Sequence, residues 1–98
     1  MPLADLFTGP ENWVKHAART NNAVCLGQAL VDCLSSHHGW RNTRMEAIIL
    51  RLFPERIKWP FYDCLIVDFN NHPETTFEEI MKVVHEWDRE EEAGAPIL

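Results

Sequence analysis

Cys25, His72 and Asn70 are the residue types from which a thiol hydrolase is built. In such a site the thiolate attacks a carbonyl, an imidazole within hydrogen-bond reach handles the proton, and a third group orients the imidazole. Asn70 and Asn71 stand next to His72 in the chain. A thiol close to a helix N-terminus has a lowered pKa. One reading is therefore a small amidase-like or peptidase-like enzyme using Cys25 and His72. The other reading is structural. Cys25 lies between Val24 and Leu26, as a packed core thiol does, and no recognisable nucleophile signature surrounds it. The balance leans against catalysis, and Cys25 is expected to be a buried, protonated thiol.

Metal chemistry has less to build on. Cys33 and His37 are four apart and share a helix face, but zinc takes three or four ligands. Cys64, His38, His72 and His85 follow no ligand spacing. With four glycines and no phosphate-cradling loop, a nucleotide site is not indicated either. No metal and no cofactor are expected. An odd count of three cysteines without a C-x-x-C pair argues against a disulfide framework.

Two other sets of residues suit binding. The four tryptophans are many for so short a chain, and tryptophan is enriched where partners dock. Trp40 follows Gly39 and Trp59 precedes Pro60, so both fall in expected loops. They are candidate partner contacts, or else they roof a small core. The second set is acidic. Residues 1–70 carry seven Lys/Arg against seven Asp/Glu, whereas residues 71–98 carry two against eight, so the net charge of −6 resides in the last segment. Glu86, Asp88, Glu90, Glu91 and Glu92 concentrate it, and are candidate contacts for a basic partner. The opposite bias runs through Arg41, Arg44, Arg51, Arg56 and Lys58. These are either two solvated faces or a dipolar surface that steers a charged partner. A nucleic-acid binder shows a basic stripe instead, so no direct nucleic-acid binding is expected.

The elements that must position these residues are helical. Ninety-eight residues make one domain, and 46% apolar with 24% charged residues is ordinary for a folded globule. No apolar run approaches the ~20 residues of a membrane span. The first residues, Met1-Pro2-Leu3-Ala4-Asp5, lack the basic and apolar regions of a signal peptide. An untargeted cytoplasmic protein is expected.

Leu3, Leu6 and Phe7 suggest a short turn on the core. Thr8-Gly9-Pro10-Glu11 reads as a helix start, with Trp13, Val14 and Ala17 on one face of a helix over 10–19. Asn21 and Asn22 are the expected caps of a helix over 22–36, in which Ala23, Leu26, Leu30, Cys33 and Leu34 keep the helical period. Gly27 inside that pattern implies close approach of a neighbour. Thr43-Arg44-Met45-Glu46 has the form of a capping box and opens a helix over 43–53. Residues 61–69 fit a helix or a buried strand. The helix is preferred because no second strand-like run exists to pair with it. Asn70-Asn71-His72-Pro73-Glu74 is an expected turn, with an Asx-turn at Asn70 or Asn71 and Pro73 setting the chain direction. Thr76 and Glu79 form a second capping box, and Phe77, Ile80, Met81, Val84 and Trp87 stripe a helix over 76–91. Residues 89–98 are expected to fray as an acidic tail. The fold class is all-α, one domain of four or five short helices with Leu30, Ile49, Leu65, Ile80 and Val84 in its core.

Two blocks carry a resemblance. The run from Asn70 to Ile80, preceded by Phe69, is similar to the closing W-N-D-x-P-x-R-T-x-E-E-V motif of an uncharacterised family of small bacterial, especially actinobacterial, and phage proteins. Ala23-Val24-Cys25-Leu26-Gly27-Gln28-Ala29-Leu30 resembles the A-V-x-x-C-x-x-G-A-L segment of that family. The blocks cover about a fifth of the chain. Phe69 stands where the family has Trp, Asn71 where it has Asp, and Thr75 where it often has Arg. The resemblance implies a small, mostly helical protein in a phage or mobile-element setting, and no established activity.

The residues and the resemblance together suggest a non-catalytic protein-binding module. In a phage setting it would be an accessory protein or an inhibitor of a host system, as anti-restriction and anti-CRISPR proteins are, by analogy alone. The alternatives are the cysteine-dependent hydrolase and a structural homo-oligomer.

Overall fold

The computed structural model describes residues 2–35, 37–57 and 64–94. Their fold is all-α. Four α-helices, α1 (Leu26–Leu34), α2 (Thr43–Leu52), α3 (Leu65–Asn71) and α4 (Phe77–Glu92), are accompanied by short 3-10 turns before α1, between α1 and α2 and just after α2, with no strand or sheet among the described residues. Trp59 and the first residues of the expected 61–69 helix lie outside the described residues.

The core forms where the apolar stripes meet. Leu30 from α1, Ile49 from α2, Leu65 from α3, and Ile80 and Val84 from α4 are all buried, as their spacing predicts. The Phe53 and Phe69 rings stack with centroids 5.4 Å apart at the α2–α3 contact. The N-terminal 3-10 turn, Leu3–Leu6, packs on α4 and buries Leu3, with Phe7 following it into the core.

Capping explains where the helices begin, and not always as the sequence suggests. Thr76 accepts from the Glu79 amide at 3.3 Å while the Glu79 carboxylate accepts from the Thr76 amide at 2.9 Å, a complete capping box. For α2 the cap is Asn42, whose Oδ1 accepts from the Met45 amide, so Thr43 is the first helical residue and not the capping one. For α1 the cap is Cys25, not Asn21 or Asn22, because Ala23, Val24 and Cys25 hydrogen-bond to the preceding segment and Cys25 itself is extended. α1 ends at Leu34, where Ser35 takes the left-handed conformation at φ 51°. Gly27 does mark a close approach. A Cβ there would overlap the ring of Trp40, which the following turn folds back onto α1.

The expected helix over 10–19 is absent. Only Pro10–Asn12 makes a 3-10 turn, and Trp13 is extended at φ −112°, ψ 140°. Val14 N–H donates to Val24 O at 3.2 Å and Val24 N–H to Asn12 O at 2.8 Å, giving isolated bridges in place of a helix. Trp13-Val14 is a poor helix-forming pair. Its backbone groups find partners across the loop, and the indole finds one in Asn70. Tertiary hydrogen bonding overrides a short, weak stripe.

The acidic helix also differs from expectation. α4 runs on to Glu92 rather than fraying from Arg89, and residues 95–98 of the expected tail lie outside the described residues. The expected surplus of outward carboxylates is largely compensated. α2 packs alongside α4 and brings the basic segment to it. Arg44 is buried, stacks 3.5 Å over the Trp87 ring, and reaches Glu91 at 2.5 Å. Arg51 reaches Glu86 at 3.0 Å and Glu90 at 3.2 Å, and Arg89 also pairs with Glu86. Asp88 accepts from the Leu3 and Ala4 amides at 2.8 and 2.9 Å, anchoring the N-terminal turn. Arg44 and Arg51 of the basic segment thus meet Glu86, Glu90 and Glu91 of the acidic one within the molecule.

These pairs give stability a sign with pH. The Arg56 guanidinium forks onto Glu79 at 2.6 and 2.8 Å and holds its carboxyl below the usual value of 4.5, and Arg89 does the same for Glu86. A carboxyl lowered in the folded state stabilises above its unfolded pKa and stops doing so as pH falls through the folded one. Thermal melts followed by circular dichroism should show a midpoint that drops below pH 4.5. Glu79→Gln should lower the midpoint at neutral pH and flatten its acid dependence. A midpoint indifferent to acid would mean the pairs are equally formed in the unfolded chain.

Candidate functional site

The most distinctive feature is the loop over residues 13–24. Its ends are joined by the Val14–Val24 and Val24–Asn12 hydrogen bonds, and Asn12 Nδ2 donates to Asn22 O at 2.9 Å. Within it, Thr20 N–H donates to Ala23 O at 2.8 Å, and Cys25 N–H, just past its end, donates back to Ala18 O at 3.0 Å. A loop with closed ends and its own internal bonding is a compact surface unit of the Ω type. Residues 16–22 are all exposed.

Asn70 and Asn71 tie this loop to the helices. They occupy the last turn of α3, so they do not form the expected Asx-turn. The Asn70 side chain instead turns inward and is 1% exposed. Its Oδ1 accepts from the Trp13 indole at 2.7 Å and from the Leu26 amide at 2.9 Å. Its Nδ2 donates to Val14 O and to Asn71 Oδ1, each at 3.0 Å. One buried amide therefore satisfies the loop, the start of α1 and its own neighbour. Asn71 Oδ1 also accepts from the His16 amide at 2.8 Å, which holds His16 at φ 63°. Left-handed backbone is uncommon for a residue with a side chain, so this contact shapes the loop directly.

The rest of the turn motif is structural. The Thr75 amide donates to His72 O at 3.0 Å, and the Glu74 amide to His72 Nδ1 at 3.0 Å. Lys15 Nζ donates to His72 O at 2.6 Å, and Pro73 O takes a longer contact from the same ammonium. Thr76 then caps α4.

A pocket of about 370 Å³ lies under the loop. Cys25, Trp40 and Val67 form its apolar side with Ala17 and Ala18, and His16, Asn70 and Asn71 are its polar residues. It brings together four of the sequence candidates, Cys25, Trp40, Asn70 and Asn71, but not His72, whose Nδ1 is engaged in the turn. Cys25 Sγ accepts from the Gln28 amide at 3.4 Å. Burial pushes its thiol above the ordinary 9.0, and the amides of Gln28 and Gly27 offset this only in part. The cap position alone does not activate it.

Trp40 is half-buried, with Cys64 Sγ donating to its carbonyl at 2.9 Å. The acidic candidates lie elsewhere. Asp88, Glu91 and Glu92 rim a second hollow of about 340 Å³ with Cys33, Leu34 and Trp87, where Asp88 and Glu91 already hold the internal contacts described above. Among the described residues no group of three or more His, Cys, Asp or Glu is placed to hold a metal ion. The side chains of His37 and His38 lie outside the described residues. No helix among them is long and apolar enough to cross a membrane.

His16, Ala17, Ala18 and Val67 were not among the sequence candidates. Their role comes from the loop conformation, and the only sequence trace of it is a pair of adjacent asparagines ending an apolar run. Comparison of the chain with protein-family models, with curated proteins and with solved structures found no match.

Proposed function

We propose that the protein is a non-catalytic protein-binding module whose contact surface is the loop over residues 16–22. The observation that carries this reading is that seven consecutive exposed residues are bonded at several points along their length: the His16 amide donates to Asn71 Oδ1, Ala18 O accepts from the Cys25 amide, the Thr20 amide donates to Ala23 O, and Asn22 O accepts from Asn12 Nδ2. A preorganised loop loses little conformational freedom on binding, and loops placed by a rigid scaffold are where recognition residues concentrate. The acidic candidates Glu86, Asp88, Glu90 and Glu91 are engaged inside the molecule, which moves the interface from the acidic face toward the loop and Trp40. An accessory or inhibitory role toward a host system is the setting that the resemblance of residues 23–30 and 70–80 suggests. With a net charge of −6, duplex DNA is not the expected partner.

The hydrolase reading needs a thiol easier to ionise than usual and a base at hydrogen-bond distance. Burial acts on Cys25 in the opposite direction, and His72 Nδ1 serves the turn. Slow labelling of native Cys25 by a thiol reagent is expected. Rapid labelling with a midpoint well below 9.0 would favour the hydrolase.

The binding reading is tested by placing a photo-crosslinking residue at Thr20, in the loop, or at Glu78, exposed at the start of α4. A discrete protein adduct from Thr20 and none from Glu78 is expected in the native host. Identical adducts from both positions, or none from Thr20, would overturn it.

A further inference from the structure

The pocket under the loop is chemically selective, and its lining says for what. Trp40, Val67, Ala17 and Cys25 offer apolar walls, one of them aromatic. Among the described residues no Lys, Arg, Asp or Glu lines it, so none of them offers an anion or a cation a counter-charge. Asn70 is saturated, with both its oxygen and its nitrogen making two hydrogen bonds. Asn71 and His16 are different. Asn71 uses Oδ1 only, and its Nδ2 has no partner among the described residues. The His16 imidazole likewise has none there, although its backbone N–H is held.

The lining therefore presents a free amide donor and an imidazole beside an uncharged, partly aromatic slot. A hydroxyl on a planar ring satisfies all three. Its oxygen accepts from Asn71 Nδ2, its hydrogen is donated to the imidazole, and its ring lies among Trp40, Val67 and Ala17. We infer that this pocket is the seat of a tyrosine side chain presented by a protein partner. The inference rests on the binding-module reading and names the group by which the partner is anchored. Tyrosine is among the residues that most often anchor interfaces, because its rigid ring is apolar and its tip is polar. His16, Ala17 and Ala18 of the lining are exposed, so the pocket is within reach of a side chain presented from outside.

The test titrates the whole protein with p-cresol, toluene and N-acetyltyrosinamide, followed by NMR of the Asn71 side-chain amide and the Trp40 indole. Both phenols are expected to bind saturably and to shift those signals, with toluene weaker by at least about tenfold. Asn71→Asp keeps an oxygen for the His16 amide but removes the donor. It should cost p-cresol at least about tenfold and leave toluene unchanged. Ala17→Leu, at an exposed wall position, narrows the slot and should weaken all three even if Asn71→Asp fails to fold. Equal binding of p-cresol and toluene would show a mere apolar hollow, and exclusion of N-acetyltyrosinamide would show a seat for a free small ring. Either result overturns the inference. A specific adduct at Thr20 with no p-cresol binding removes the tyrosine seat and leaves the binding-module reading intact. Phenol binding without any adduct at Thr20 removes both.

Discussion

Asn70→Ala is expected to destabilise the protein by about 2–5 kcal/mol, a large share of a small domain's total. The side chain is buried and makes four hydrogen bonds to three separate parts of the chain. Truncation strands the Leu26 amide at the start of α1 and the Val14 carbonyl in the loop. Each buried group left without a partner costs about 1–3 kcal/mol. The loss is also directional. Hydrogen exchange at the Leu26 amide and the Trp13 indole should accelerate more than exchange in the middle of α4, because the loop detaches before the helices separate. Urea denaturation gives the total and exchange gives the location. A loss below about 1 kcal/mol would show that water replaces the amide without strain, and that the loop does not depend on it.

Trp87→Ala is expected to cost about 3–5 kcal/mol, the usual range for removing a buried tryptophan. Trp87 is 1% exposed and is the largest fully buried side chain among the described residues. Its ring also carries Arg44, stacked at 3.5 Å, and Arg44 in turn holds Glu91. Truncation would leave a cavity and a guanidinium that has lost its apolar bed. Trp87→Phe retains a ring face under Arg44 and should cost clearly less than the alanine variant. If the two substitutions cost the same, the stacking contributes nothing and the site collapses equally well around either. Denaturation midpoints for the two variants, measured with the same slope, decide between these outcomes.

Much of the helical framework is legible from residue order. Leu26, Leu30 and Leu34 in α1, Met45, Ile48, Ile49 and Leu52 in α2, and Ile80, Val84 and Trp87 in α4 repeat at the helical period. Burial follows from that geometry for nearly all of them, although Leu52 at the end of α2 remains exposed. The Thr76–Glu79 capping box is equally readable, because donor and acceptor lie three residues apart and need no other part of the chain. Local periodicity and local hydrogen bonding are properties of a segment.

Residues 10–19 look like a helix start by the same local rules, yet they become a short 3-10 turn, an extended Trp13 and part of a bonded loop. Their partners, Val24 and Asn70, lie beyond the reach of any local pattern. Asn70 and Asn71 read as turn residues and act as long-range ties, since an amide side chain bonds whatever the fold brings to it. The acidic and basic segments read as two solvated faces until α2 and α4 pack side by side and their charges meet. The pocket under the loop has no sequence signature at all. It is the space left when Asn71 holds His16 in a left-handed conformation and Trp40 folds back over Gly27. A helix is a property of neighbours along the chain, whereas a tie, a charge pair or a cavity exists only once distant segments are in contact.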